Sequence, residues 1–136
     1  MKKIIKVIVE IENDRIGSNI RGELTITDML FNDHESTMDA EQMVKDVKQS
    51  IKLLRGFRMI TIRMTENEYM GAYHKEMHSV RITNHYGEMK ISNINADGTM
   101  YGNWKECKLK DIYDNVNGFV YNANAFHSLN YKEAIA

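Results

Sequence analysis

The sequence predicts an α+β domain with an antiparallel β-sheet, one long amphipathic helix and a C-terminal β-meander. Three observations support this fold class. Apolar and polar residues alternate near the N-terminus, as in a strand with one buried face. A helical apolar period of about 3.6 residues replaces this alternation from about residue 39 to 55. Short alternating runs separated by turn residues then fill positions 79 to 110.

An N-terminal β-hairpin is the first predicted element. Residues 3 to 11 place β-branched side chains at alternate positions, namely Ile5, Val7, Val9 and Ile11. Turn residues follow between positions 13 and 19, and the segment from Gly22 to Thr27 alternates again. Two alternating runs joined by a short polar segment predict two antiparallel strands.

A helix over about 39–55 has the clearest pattern in the chain. Asp39 can cap its N-terminus, and Gln42 follows three residues later. Apolar residues recur at three- and four-residue spacing at Val44, Val47, Ile51 and Leu54. Gly56 is the expected C-terminal stop, because glycine readily adopts the left-handed conformation that ends many helices.

The segment 66–77 allows two interpretations. Residues 59 to 64 alternate as a strand, and Thr65 with Glu68 then matches a capping box. The capping box predicts a short second helix over 66–77. Gly71 disfavours a helix interior, so a strand is the alternative.

A β-meander is predicted over about 79–110. Alternating runs surround the turn pairs Tyr86-Gly87 and Asp97-Gly98, and an Asp-Gly pair in this context is a strong hairpin signal. The aromatic tail, residues 111–136, is rich in asparagine and contains Tyr113, Phe119, Tyr121, Phe126 and Tyr131. We expect these aromatic side chains to anchor the tail, either on the domain itself or on a second subunit.

Composition restricts the class of protein. The length of 136 residues is typical of a single domain, 1–136, and the net charge of −1 disfavours sequence-independent nucleic-acid binding. The single cysteine, Cys107, excludes an intrachain disulfide framework and favours a reducing compartment. No apolar run approaches the roughly 18 to 20 residues of a membrane helix, so we expect a soluble, cytoplasmic protein. The absence of proline and the wealth of Asn, Ile, Lys and Met suggest a low-GC bacterium or its phage, whose protein would act in the host cytoplasm.

The sequence Tyr73-His74-Lys75-Glu76-Met77-His78 resembles part of a zinc-protease motif. On a helix both imidazoles can reach one zinc ion, whereas on a strand they lie roughly 13 Å apart. The protease motif places glutamate directly after the first histidine, and here Lys75 occupies that position. We therefore predict no metal site and no cofactor.

Basic and aromatic residues form the predicted ligand site. The helix carries basic residues along one side, further arginines follow it, and aromatic residues lie on or beside the meander. The predicted ligand-binding residues are Lys52, Arg55, Arg58, Arg81, Tyr86, Tyr101 and Trp104. Arginine suits bidentate contact with phosphate oxygens, and aromatic rings stack on bases. The alternative is a solvated basic helix face with the aromatic residues in the core.

The pattern favours binding over catalysis. No nucleophile is paired with a general base, and no dinucleotide-binding or P-loop glycine pattern occurs. We therefore expect a small non-catalytic binding protein that sequesters an anionic nucleotide-type ligand, and a phage or mobile-element counter-defence protein fits this class. The alternatives are an inhibitor that binds a host protein and a small metal-dependent hydrolase or phosphoesterase. The narrow apolar stripe of the helix and the aromatic tail also predict a homodimer.

Overall fold

The computed structural model describes residues 3–13, 20–27, 40–68, 74–95, 99 and 102–135. Within these ranges the elements, in chain order, are β1 (Lys3–Glu12), β2 (Ile20–Thr27), α1 (Ala40–Leu53), β3 (Met59–Glu68), β4 (His74–His85), β5 (Glu88–Asn93), β6 (Lys105–Glu106) and α2 (Leu109–Ile135). The described strands form one antiparallel sheet in the order β2-β1-β3-β4-β5-β6. The predicted α+β class is confirmed.

Strand β1, which has a neighbour on each side, shows which face of the sheet is buried. It pairs with β2 on one side, which confirms the predicted N-terminal hairpin, and with β3 on the other. Successive side chains of a strand point to opposite faces, so Ile8, although buried, lies on the face opposite the core cluster, and four other β-branched residues share the core face. These buried residues are Ile5, Val7, Val9 and Ile11. Ile60 and Ile62 of β3 continue the same buried face.

Both helices contribute to the core on this face. Met43 and Val47 of α1 are buried, and Val44 and Ile51 pack partly against the same cluster. The predicted helix over about 39–55 is confirmed as α1, although its expected cap Asp39 lies outside the described residues. Helix α2 adds its own buried set, namely Ile112, Val116, Phe119, Val120 and Ala123. The fold is therefore two layers, with helices on one face of the sheet.

Helix α2 was not predicted, because the sequence pattern favoured an aromatic tail over 111–136. Asparagine and glycine are poor helix formers, and Gly118 interrupts the middle of this 27-residue helix. Burial of its apolar residues every three or four positions stabilises the helix despite that composition. Aromatic anchoring holds for Phe119, which is buried, and Tyr113, which packs partly on the core, but not for Tyr121, which is exposed. The side chains of Phe126 and Tyr131 lie outside the described part of the chain. The prediction of one long helix is thus corrected, since the described residues contain two.

In the described parts of 66–77 the helical interpretation is wrong and the strand alternative is right; residues 69–73 lie outside the described residues. Strand β3 continues to Glu68, and β4 begins at His74. The two strands pair with a register shift between Met64 and Thr65. Thr65 is fully buried within the sheet, so pairing with β1 and β4 outweighs its potential as a helix cap.

The predicted meander corresponds to β4, β5 and β6. Tyr86 and Gly87 form the two-residue turn between β4 and β5, and both have positive φ, as in a type I′ hairpin turn. Strand β6 contains only two residues, and the predicted turn at Asp97-Gly98 lies outside the described residues. No helix among the described residues is long and apolar enough to cross a membrane.

Gly118 and Gly87 offer a matched pair of glycine substitutions. A Cβ atom at either position would have no heavy atom within 4 Å, but only Gly87 has positive φ, at 87°. We expect Gly118→Ala to raise the free energy of unfolding by about 0.5–1 kcal/mol, because alanine is the better helix former. Gly87→Ala should instead lower it by roughly 1–2 kcal/mol through left-handed strain.

Urea denaturation of both variants and the wild type measures these changes. A destabilised Gly118→Ala variant would show that α2 requires glycine for a reason other than backbone geometry.

Candidate functional site

A cleft of about 580 Å³ opens at one end of the sheet. It lies between the α1–β3 connection, the β4–β5 turn and the end of β1. Its lining residues are Asn13, Leu54, Arg55, Gly56, Phe57, Arg58, Asn84, His85, Tyr86 and Gly87. Small-molecule sites in proteins typically have volumes of about 300–1,000 Å³, so the cleft is large enough for a nucleotide.

The end of α1 builds the first wall. Gly56 N–H donates to Ile51 O at 2.9 Å, and Arg55 N–H donates to Lys52 O at 3.0 Å. These two bonds form a Schellman motif, in which the residue after the helix is left-handed and usually glycine. Here Arg55 takes that position with φ of 56°, and Gly56 follows with φ of 110°. The predicted stop at Gly56 is therefore one residue beyond the left-handed position itself.

The β4–β5 turn builds the second wall. Tyr86 has φ of 52°, in a turn position that favours Asn, Asp or Gly. Its side chain is 98% exposed, and its ring contacts the His85 ring edge-on with centroids 4.7 Å apart. The faces of the Tyr86 ring are therefore accessible from the solvent.

Arg55 and Tyr86 are the two non-glycine residues with positive φ within the described ranges, and both line the cleft. Such a conformation costs on the order of 1–3 kcal/mol at each residue. Both side chains are exposed, so neither is compensated by burial in the core. Strained, exposed residues with useful chemistry are characteristic of functional sites.

Two asparagines tie the walls together. Asn84 Nδ2 donates to Phe57 O at 2.9 Å, and Asn84 Oδ1 accepts from Gly87 N–H at 3.0 Å. Asn13 Nδ2 donates to Leu54 O at 3.2 Å. The first asparagine thus links the β4–β5 turn to the α1–β3 connection, and the second links that connection to β1. These bonds hold the cleft in one geometry before any ligand enters.

Arg58 lies between the cleft and the end of β1. Its backbone N–H donates to Glu12 O at 2.7 Å, and its Nη2 lies 3.6 Å from Glu12 Oε2. A second pair of the same type joins Arg63 Nη1 and Glu10 Oε1 at 3.4 Å on neighbouring strands. Arg63 and Glu10 do not line the cleft.

The structure brings together three of the predicted ligand-binding residues, namely Arg55, Arg58 and Tyr86. Lys52, Arg81 and Trp104 are described but do not line the cleft, and Tyr101 lies outside the described residues. Lys52 is exposed on the last turn of α1, and Arg81 lies within β4, on the strand face opposite Val80 and Ile82. Trp104 precedes β6.

The sequence did not indicate Asn13, Asn84 or His85 as cleft residues. The asparagines are separated by 41 and 27 positions from their partners in the α1–β3 connection. Nothing local in the sequence predicts these bonds. Asn84 nevertheless has a recognisable position, two residues before the centre of a hairpin turn.

The histidine pair at positions 74 and 78 lies on β4, not on a helix. Strand geometry separates the two residues by roughly 13 Å, which is too far for one metal ion. The His78 ring stacks on Phe119 of α2 with centroids 5.0 Å apart. Among the described residues, no group of three or more His, Cys, Asp or Glu side chains is arranged to hold a metal ion.

Cys107 has the environment of a structural thiol. It is buried in the core, and its Sγ lies 3.5 Å from Lys108 O. Burial raises the pKa of the Cys107 thiol, and the nearby Asp111 carboxylate raises it further. A raised pKa lowers the fraction of reactive thiolate near neutral pH.

The Asn84 bonds predict a stability effect. Asn84→Ala should lower the free energy of unfolding by roughly 1–3 kcal/mol, because Phe57 O and Gly87 N–H lose a part-buried partner. Asn95→Ala removes an exposed bond to Thr99 Oγ1 and should cost less than about 0.5 kcal/mol. Urea denaturation measures both, and equal losses would show that Asn84 does not fix the cleft.

The raised pKa of Cys107 predicts slow thiol chemistry. At pH 8 the folded protein should react with Ellman's reagent at least about tenfold more slowly than the urea-unfolded chain, because both burial and protonation protect the sulfur. The colour change at 412 nm measures the rate, with glutathione as the reference thiol in each buffer. Similar rates in the two states would place the sulfur at the surface.

Comparison with known proteins gives no relative for this fold or cleft. No family model, curated protein or solved structure in the comparison matches the chain.

Proposed function

We propose that this chain is a small non-catalytic binding protein that holds an anionic nucleotide-type ligand in the cleft. The supporting observation is the position of Arg55 and Tyr86, a cation and an aromatic residue that both have a strained backbone, are exposed and line one cleft. Glycine or asparagine would satisfy both backbones at lower cost. Ligand binding gives a reason for arginine and tyrosine at these positions.

The chemistry of the lining residues fits a nucleotide. Arg55 and Arg58 present planar guanidinium groups that donate paired hydrogen bonds to phosphate oxygens. An exposed face of Tyr86 can stack on a base, which contributes roughly 1–3 kcal/mol. Because Asn13 and Asn84 fix the walls in advance, less conformational entropy is lost when the ligand binds.

Binding is favoured over hydrolysis at this cleft. Among the cleft residues, His85 is the usual type of general base. Its ring contacts Tyr86, which is a poor nucleophile at neutral pH. The alternative of a hydrolase that uses a metal on His74 and His78 is disfavoured by their separation along β4.

A protein partner is the second candidate. Leu53 at the end of α1 is 70% exposed, and Tyr86 on the β4–β5 turn is 98% exposed. Leu53 directly precedes the cleft residue Leu54, and Tyr86 lines the cleft, so both exposed side chains belong to the segments that form it. Patches of exposed apolar side chains are typical of protein interfaces. An inhibitor of a host protein would use this end of the molecule, with or without a second copy of the chain. In either case the expected context is counter-defence by a phage or mobile element, through removal of a host signal or masking of a host surface.

A thermal-shift panel of mono-, di- and cyclic nucleotides tests the proposal. A ligand at 100 times its Kd stabilises the folded state by about 2.7 kcal/mol, which raises Tm by several degrees in a chain of this size. We expect at least one nucleotide to give this shift. If none does, the protein-partner candidate replaces the nucleotide proposal.

Two variants assign any shift to the cleft. Tyr86→Asn should raise the Tm of the free protein, because asparagine suits the turn, and should reduce the nucleotide shift by removing the stacking ring. Arg55→Gly should act in the same direction, with relief of up to roughly 1–2 kcal/mol of strain. An increase in stability together with a loss of binding distinguishes a functional residue from a structural one.

Tyr121→Asn is the matched control, because Tyr121 is an exposed tyrosine on α2 outside the cleft. It should keep the full nucleotide shift. Binding that survives in Tyr86→Asn and Arg55→Gly but fails in Tyr121→Asn would place the ligand elsewhere.

A further inference from the structure

We infer that Glu12 sets the charge preference of the cleft, so that it favours a singly charged phosphodiester over a terminal phosphate. This inference rests on the proposed nucleotide binding and adds a ligand class to it. A cyclic nucleotide or an internucleotide linkage is a phosphodiester, whereas a nucleoside monophosphate ends in a terminal phosphate. The two groups share the same oxygen chemistry and differ in charge.

The Glu12 carboxylate is held beside the cleft by the sheet. Glu12 is the last residue of β1, and its carbonyl accepts the Arg58 N–H at 2.7 Å. Its Oε2 lies 3.6 Å from Arg58 Nη2, and the two side chains are 33% and 57% exposed. A ligand that reaches Arg58 therefore also meets the negative charge of Glu12.

Among the described residues, the charges around the cleft leave a modest positive excess. Arg55 and Arg58 contribute two positive charges, and Glu12 contributes one negative charge. The C-terminal end of α1 also faces the cleft at Leu54, and the carbonyls of a helix C-terminus carry partial negative charge. The net charge of the described residues at the cleft is therefore positive but small.

The charge of the ligand determines which of the two phosphate groups binds more tightly. A phosphodiester carries one negative charge, and a terminal phosphate carries about 1.5 to 2 at pH 7. Attraction to the cleft grows in proportion to the ligand charge, whereas the cost of removing an ion from water grows with its square. Repulsion from Glu12 is also about twice as large for the dianion. Attraction to the two arginines favours the dianion, whereas the cost of removing the ion from water and the repulsion from Glu12 both favour the phosphodiester.

The size of the Glu12 effect follows from its partial exposure. Charges near the surface interact weakly, and physiological salt screens them over about 8 Å. Removing one negative charge at this separation should improve binding by roughly three- to tenfold for each unit of ligand charge. Because the dianion carries the greater charge, its affinity rises more than that of the monoanion when the Glu12 charge is removed.

The chain supplies a matched control in the Glu10–Arg63 pair. It has the same residue types as the Glu12–Arg58 pair and a similar distance, 3.4 Å against 3.6 Å. Neither glutamate lines the cleft, but the partner of Glu12, Arg58, does and the partner of Glu10, Arg63, does not. Glu10→Gln and Glu12→Gln therefore make the same change in global charge, and only the second removes a carboxylate that is paired with a cleft residue.

Titration calorimetry at pH 8 and 0.15 M salt compares 3′,5′-cyclic AMP with 5′-AMP, and the same pair for guanosine, cytidine and uridine. With the wild-type chain we expect the cyclic form of the preferred base to bind more tightly. Glu12→Gln should improve the affinity for the 5′-monophosphate roughly three- to tenfold more than that for the cyclic form. Glu10→Gln should leave the ratio of the two affinities unchanged. Because every variant is tested with the same two ligands, the effect of their difference in shape cancels when the affinity ratios of the variants are compared.

Each outcome separates the two proposals. Tighter wild-type binding of the 5′-monophosphate, or a ratio that Glu12→Gln and Glu10→Gln leave equally unchanged, overturns the role of Glu12. If Tyr86→Asn still weakens binding in that case, the nucleotide site itself stands. Absence of binding by all eight nucleotides overturns the role of Glu12, and the nucleotide proposal falls with it if the dinucleotides of the thermal-shift panel also give no shift. Circular dichroism and Tm confirm that each variant is folded, since a partly exposed ion pair contributes only about 0–1 kcal/mol.

Discussion

Burial of both helices on one face of the sheet is the constraint on which the rest of this structure depends. The β-branched residues of β1 and β3 need an apolar cover, and α1 and α2 supply it. Because α1 covers the same sheet that β3 enters, the chain must reverse within the five residues between Leu53 and Met59. A reversal this short uses the Schellman motif and the positive φ of Arg55 and Gly56. The first wall of the cleft is thus a consequence of core packing.

The second wall follows from the order of the strands. Since β3 and β4 are neighbours, the start of β3 and the end of β4 meet, and Asn84 N–H donates to Arg58 O at 2.8 Å. The β4–β5 turn therefore lies beside the α1–β3 connection. Two tight reversals at one end of a sheet fix the backbone from which these side chains project. Arg55 and Tyr86 are presented by rigid backbone, at a cost in strain that a glycine would avoid.

Sequence periodicity was sufficient to predict those elements whose buried residues recur at a regular spacing. It predicted the N-terminal hairpin, α1 and the Tyr86-Gly87 turn, because alternating or helical apolar residues are visible without tertiary information. It failed for α2, whose helix formation depends on burial against β1 and α1 more than on its own asparagine-rich sequence. It was ambiguous at 66–77, where a capping box at Thr65 competed with strand pairing that only the sheet provides.

The cleft was predictable only in its chemistry. Arginine and exposed aromatic residues marked Arg55, Arg58 and Tyr86, but the same criterion also selected Lys52, Arg81 and Trp104, which the fold places elsewhere. The first group lies beside the two chain reversals, and the second does not. This position depends on the strand order and on asparagine hydrogen bonds between residues 27 and 41 positions apart in the sequence. Residue type alone contains neither kind of information.

The presence of Glu12 and a helix C-terminus beside an arginine cleft at first opposes anion binding. Anion binding is still possible if the aromatic ring supplies the binding affinity and the charged groups supply the selectivity among anions. Stacking on Tyr86 does not depend on ligand charge, so it can supply affinity to any nucleotide whose base reaches the turn. Charges that partly cancel then contribute little net attraction, yet they still distinguish one anion from another, because electrostatic complementarity acts more on specificity than on affinity. A carboxylate beside Arg58 is therefore compatible with an anion site, provided that the aromatic wall supplies much of the binding energy.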